Sequence, residues 1–156
     1  MLILTIAATS LGAQSASATN IFFLANLDGF QEVPSVLTNG SGKFRSRLMR
    51  DGSIEFSLKV KNLEGTFAAA HIHFGQMSVN GGVMITLCGG PAPAIVAVCS
   101  EEVSGTISAD FVRELTGQGV GAFNFDDALS TLRSGNTYVN VHTSLFPNGE
   151  IRGQVH

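Results

Sequence analysis

From residue 42 to residue 63 the chain alternates apolar and polar side chains. In Gly42–Arg50, Phe44 and Leu48 stand against Lys43, Arg45 and Arg47. In Ser53–Leu63, Ile54, Phe56, Leu58 and Val60 occupy every second position. A period of two is the signature of a strand with one buried face. Asp51-Gly52 between the two segments predicts a hairpin turn. The basic row reads as a solvated strand face rather than an anion site.

Similar short segments recur along the chain. Ile21–Leu27 is ended by Asp28-Gly29, Ala68–Phe74 is followed by Asn80-Gly81-Gly82, and Val83–Leu87 leads to a proline-containing loop. Glu102–Ser108 and Gly119–Phe125 read as further extended pieces, and Tyr138–Ser144 and Glu150–Val155 flank Pro147-Asn148-Gly149. Asp126–Arg133 is the one helix candidate. Asp126 is its expected cap, Ala128, Leu129 and Leu132 form its apolar stripe, and Gly135 is its stop. Many short strands separated by turns predict an all-β domain. The expected fold is an antiparallel, Greek-key-like sandwich or barrel with one short helix near the C-terminal third.

Composition narrows the function classes. The chain has 156 residues, 44% of them hydrophobic, which suits one domain with its own core. The net charge of −3, with 13% charged residues, provides no basic surplus for a phosphate backbone, so nucleic acid is not an expected partner. There is no Gly-x-Ser-x-Gly elbow and no phosphate-binding glycine loop. Gly117-Gln118-Gly119-Val120-Gly121 reads as a loop, since no strand and helix flank it as a dinucleotide site requires.

Leu2–Leu11 is apolar and uncharged, and Ala16-Ser17-Ala18 follows with a small-x-small pattern. A bilayer span needs ~20 residues. The alternatives are a signal peptide and a buried N-terminal element. Residues 1–18 are taken as a signal peptide with the mature domain at 19–156, although no Lys or Arg precedes the apolar run. The mature chain is expected to have no membrane span. The chain has two cysteines, Cys88 and Cys99. In an exported protein they are expected to pair, and their spacing lacks the Cys-x-x-Cys form of a zinc site.

The chemistry lies in the histidines. In Ala70-His71-Ile72-His73-Phe74 the two imidazoles share a strand face about 6 to 7 Å apart. His142 shares a face with Asn140 and Tyr138, while Val139 and Val141 point to the core. A three-residue loop at Pro147-Asn148-Gly149 pairs Phe146 with Glu150, Ser144 with Arg152 and His142 with Gln154. That register gathers His142, Arg152 and Gln154 on one polar face, where Glu150 could join a site begun by His71 and His73. A single strand histidine is more often a hydrogen-bonded structural residue than a ligand. Three together suit Cu(II) or Zn(II) better than Ca(II) or Mg(II), with room for an open position. His156, the last residue, is expected to fray.

Four segments resemble the CHRD domain, the module repeated in chordin and found singly in microbial exported proteins. They are Leu27-Asp28-Gly29-Phe30-Gln31-Glu32-Val33-Pro34, Ala70-His71-Ile72-His73-Phe74-Gly75, Gly135-Asn136-Thr137-Tyr138-Val139-Asn140-Val141-His142-Thr143, and Pro147-Asn148-Gly149-Glu150-Ile151-Arg152-Gly153-Gln154. Ser35 stands where the family often has a second proline. The resemblance implies an all-β fold and a secreted, periplasmic or cell-surface setting. The chordin connection suggests another extracellular protein as a partner. The His-x-His-Phe-Gly strand also looks like the copper strand of Cu/Zn superoxide dismutase, a likeness at the level of fold alone. That enzyme's bridging histidine and zinc loop have no counterpart here. Two function classes follow. One is a binding or structural module whose histidines are hydrogen-bonded or hold a metal. The other is a copper-dependent metalloenzyme built on the same histidines, for which no general base or nucleophile is evident.

Overall fold

The structure is a computed structural model and describes residues 21–156. The expected signal peptide lies outside the described residues. Among the described residues nine strands form: β1 (Phe22–Asp28), β2 (Ser41–Leu48), β3 (Ile54–Lys61), β4 (Phe67–Phe74), β5 (Gly82–Gly89), β6 (Ala94–Val96), β7 (Glu102–Ile107), β8 (Thr137–Thr143) and β9 (Ile151–Gln154). The helix α1 spans Phe125–Arg133. None of the described helices is long and apolar enough to cross a membrane.

All nine strands belong to one sheet, in the order β6-β5-β4-β8-β9-β1-β2-β3-β7. The sheet curls into a nearly closed barrel, because its outer strands meet. A Cβ on Gly105 of β7 would come within 2.6 Å of Ile95 Cγ2 on β6, so only glycine permits this approach. The alternating apolar positions of every long strand point inward. Phe44, Phe56, Leu58, Ile72, Val139 and Ile151 share one buried core, each contributing about 1.5–3 kcal/mol on full burial. Lys43, Arg45 and Arg47 lie exposed on the outer face, as the alternation requires.

Several expectations are corrected. Gly119–Phe125 is not extended. A 3-10 turn over Thr116–Gln118 and an isolated bridge between Leu115 and Val120 shape that region, with Gly119 left-handed at φ 76°. The helix is capped by Asn124, whose side chain accepts from the Asp127 N–H at 3.1 Å, not by Asp126. Gly135 does close it, at φ 72°. The sheet is not wholly antiparallel, since β6 runs parallel to β5 through Thr86–Ala94 and Cys88–Val96. The turn at Gly90–Pro93 doubles the chain back, and the Cys88–Cys99 disulfide, which the cysteine count predicts, holds it there. His156 does not fray, because its backbone N–H and C=O both bond to Leu24 of β1, at 3.0 and 2.8 Å.

Candidate metal centre

The strand order places β4 between β5 and β8. His71 stands opposite Asn140 and His73 opposite Tyr138, while His142 is opposite Ala69 and therefore diagonal to His71. Alternation sends Ile72, Val139 and Val141 into the core, so the three imidazoles stand together on the outer wall of the barrel. Their ring centroids are 4.8 Å apart for His71–His142, 5.6 Å for His71–His73 and 6.3 Å for His73–His142. His71 and His73 are buried and His142 is half-buried.

Each imidazole spends one nitrogen on a backbone carbonyl from a different loop. His71 Nε2 bonds Gly90 O in the disulfide loop at 3.0 Å. His73 Nδ1 bonds Gly81 O in the β4–β5 connection at 3.0 Å. His142 Nδ1 bonds Pro147 O in the last connection at 3.0 Å. A carbonyl only accepts, so each of these nitrogens carries the proton of a neutral ring. The other three nitrogens are therefore bare lone pairs. His71 Nδ1 lies 3.0 Å from His142 Nε2. His73 Nε2 is buried with no hydrogen-bond partner. One potential ligand atom from each of the three histidines lies within 4.8 Å of the others.

Two bare nitrogens at hydrogen-bond distance cannot bond each other without a shared cation. Nitrogens ~2.0 Å from one ion stand about 2.8 Å apart at a right angle and about 3.3 Å apart at the tetrahedral angle. The observed 3.0 Å falls between these values. Closing the 4.8 Å spread to about 3.3 Å, a shift of roughly 1.5 Å, would bring a His73 nitrogen into the same shell. A proton is a poor alternative. Burial, countered in part by the Gly81 carbonyl, brings His73 down to about 4 from an ordinary 6.5. Burial and the neighbouring His71 bring His142 to about 4. Burial lowers His71 as well, with the Arg113 guanidinium adding to it.

The polar residues expected around the trio take supporting places. The register of the last hairpin differs from the expected one: Tyr138 faces Gln154 and Asn140 faces Arg152. The connection is wider than three residues, because Thr143 still pairs with Phe67 of β4 and the Ser144 N–H reaches Thr66 O. The slip is even, so His142, Arg152 and Gln154 keep their shared face. Arg152 is fully buried. Its guanidinium lies 3.4 Å from the Tyr138 ring centroid and donates to Asn80 Oδ1, Gln76 O and Val79 O. Tyr138 in turn stacks on His73 at 4.7 Å, and its hydroxyl accepts from the Gly81 N–H at 3.1 Å. Gln154 donates to Gly75 O and Gly135 O. Glu150 is turned elsewhere, accepting from Thr38 Oγ1, the Glu64 N–H and Thr143 Oγ1. It braces the loops and takes no part in the face.

Sequence reasoning assigned no role to Glu32, Thr86 or Arg113. Glu32 is buried and accepts from Asn140 Nδ2, and desolvation raises it to about 7 despite the nearby Arg152. It lies within the Leu27–Pro34 motif, which was its only signal. Thr86 stands opposite His71 on β5, where nothing in an apolar run marked it.

A family model, that of the CHRD domain, matches residues 23–155. Comparison with curated proteins and with solved structures gave no match.

Proposed function

Since this chain belongs to the CHRD-domain family, we propose that it is an extracytoplasmic binding module that holds Cu(II) or Zn(II) through His71, His73 and His142. The supporting observation is a cluster of three imidazoles, with one ligand nitrogen of each within 4.8 Å of the others and one nitrogen of each ring committed to a loop carbonyl. Metal-bound imidazoles are commonly oriented in this way, through a hydrogen bond from the distal N–H. Neutral nitrogen donors select Cu(II) and Zn(II) over Ca(II) and Mg(II). The disulfide favours an oxidising compartment. The arrangement includes a ligand set and its supports, which is what binding requires, so the reading is binding rather than catalysis.

Titration of the purified protein with Cu(II) and Zn(II) tests it. The expected result is submicromolar affinity at one equivalent, lost in both His71→Ala and His142→Ala. Absence of binding at pH 7 overturns the reading.

A further inference from the structure

Beside the histidine trio the outer face carries two polar groups of a different kind. Thr86 is β5's partner to His71 in the β4–β5 ladder, so the two side chains share a face. Thr86 is fully buried, and its hydroxyl has no hydrogen-bond partner. Alongside β5, the Arg113 N–H donates to Met84 O at 2.9 Å, which fixes Arg113 along that strand. Val112 is buried in the core, and the Arg113 guanidinium lies near enough to His71 to lower its pKa. Its Nη1 is buried and also lacks a partner. Five buried side-chain atoms are unpartnered among the described residues, and His73 Nε2, Thr86 Oγ1 and Arg113 Nη1 are three of them. These three belong to one stretch of wall: Arg113 beside β5, Thr86 on β5, and His73 on β4.

The chemistry of the three is complementary. The histidine nitrogens only accept, whereas a hydroxyl and a guanidinium donate. A buried donor left unpaired is costly, so such groups are ordinarily matched. A cation alone would satisfy the imidazoles and leave Arg113 and Thr86 unmatched. It would also put a second positive charge beside the guanidinium. An anion bound to the metal would resolve both problems.

We propose that Arg113 and Thr86 form an anion subsite, which seats a small singly charged oxyanion, a carboxylate or bicarbonate, as the co-ligand of the metal. The inference rests on the metal reading above and specifies what fills the open coordination position. The anion bridges the metal on one side and the Arg113 guanidinium on the other, with the Thr86 hydroxyl donating to it. Arg113 contributes charge and direction and does not ligate the metal.

Azide is the probe, because its Cu(II) complex has a charge-transfer absorption that free Cu(II)-protein lacks. The purified protein is loaded with one equivalent of Cu(II) and titrated with azide, in wild type, Arg113→Gln, Arg113→Lys and Thr86→Val. Copper content and affinity are measured for each. The expected result is azide binding in wild type, weakened about tenfold or more in Arg113→Gln through loss of a charge-assisted hydrogen bond. Arg113→Lys should recover part of the loss, and Thr86→Val should show a smaller loss. Each variant should still take up one equivalent of Cu(II), which also shows that it folds. Bicarbonate should compete with azide in wild type. Normal copper binding with the same azide affinity in wild type and Arg113→Gln overturns the anion subsite and leaves the metal site standing. A wild-type protein that takes up no copper overturns both.

Discussion

His71 and His142 face each other nitrogen to nitrogen, Nδ1 to Nε2 at 3.0 Å, and neither nitrogen carries a proton in the neutral ring. The cause lies outside the pair. His71 Nε2–H donates to Gly90 O and His142 Nδ1–H donates to Pro147 O, which leaves the facing nitrogens bare. A cation that bridges them relieves a lone-pair repulsion present in the metal-free fold. Binding should therefore raise thermal stability. At 100 times the dissociation constant, the gain is about 2.7 kcal/mol. Calorimetry with Zn(II) checks this, and in His142→Ala the rise in Tm should disappear.

Gly81 is the second pressure point. A Cβ there would overlap the Phe74 carbonyl, so Gly81→Ala must displace the turn. Gly81 supplies the carbonyl for His73 and the N–H for Tyr138. The substitution should weaken metal binding about 10- to 100-fold, as the loss of an outer partner to a ligating histidine typically does. Titration calorimetry of the variant is the measurement. Unchanged affinity would mean that the Gly81 carbonyl does not orient His73.

Acid should destabilise the metal-free protein. His73 and His142 titrate near 4 in the fold against 6.5 ordinarily, so between these values the unfolded chain binds more protons. Stability is then complete above pH 6.5 and falls as the pH drops through 4, by on the order of 3 kcal/mol per histidine. Denaturant melts from pH 8 to pH 4 in the presence of a chelator should show this slope. His73→Gln should lose part of it.

Glu32 works in the opposite direction. Its carboxyl is raised to about 7 from 4.5, so the folded state holds a proton that the unfolded chain has released. That contribution is complete below 4.5 and is lost as the pH rises through 7. Glu32→Gln should therefore match the wild type at pH 4 and exceed it at pH 8, by on the order of 3 kcal/mol. Parallel urea melts at the two values decide it.

The Cys88–Cys99 bridge holds the loop that carries Gly90. Cys99→Ser should cost about 3 kcal/mol by the loop-entropy estimate. It should also weaken metal binding, by releasing the carbonyl that sets the His71 tautomer. Chemical denaturation and metal titration, done on the same variant, separate the two effects.

Much of this was legible along the chain. Alternation at Ile54, Phe56, Leu58 and Val60 is a local property, and it placed β3 and its hairpin partner within a residue or two. The same rule put His71 and His73 on one face and His142 on the outer side of its own strand. The terminal register departs from the one that turn chemistry at Pro147-Asn148-Gly149 predicts, because Thr143 is tied to Phe67 and Ser144 to Thr66. Those partners lie far away in the sequence. The cap of α1 was placed two residues late for a more local reason, since Asp126 and Asn124 are both competent caps and backbone geometry chose between them.

By itself, then, the sequence determined the long strands, the faces their side chains take, the cysteine pair and the family, since these depend on periodicity, residue type and motif order. Only the tertiary structure decided that β4 and β8 are neighbours and that three loops deliver carbonyls to three rings. Only it set Arg113 and Thr86 beside them. The physical reason is that a tautomer, an unpaired lone pair and a buried donor are properties of contacts between distant segments. The histidine types are written in the chain, but the protonation that makes them ligands depends on Gly81, Gly90 and Pro147.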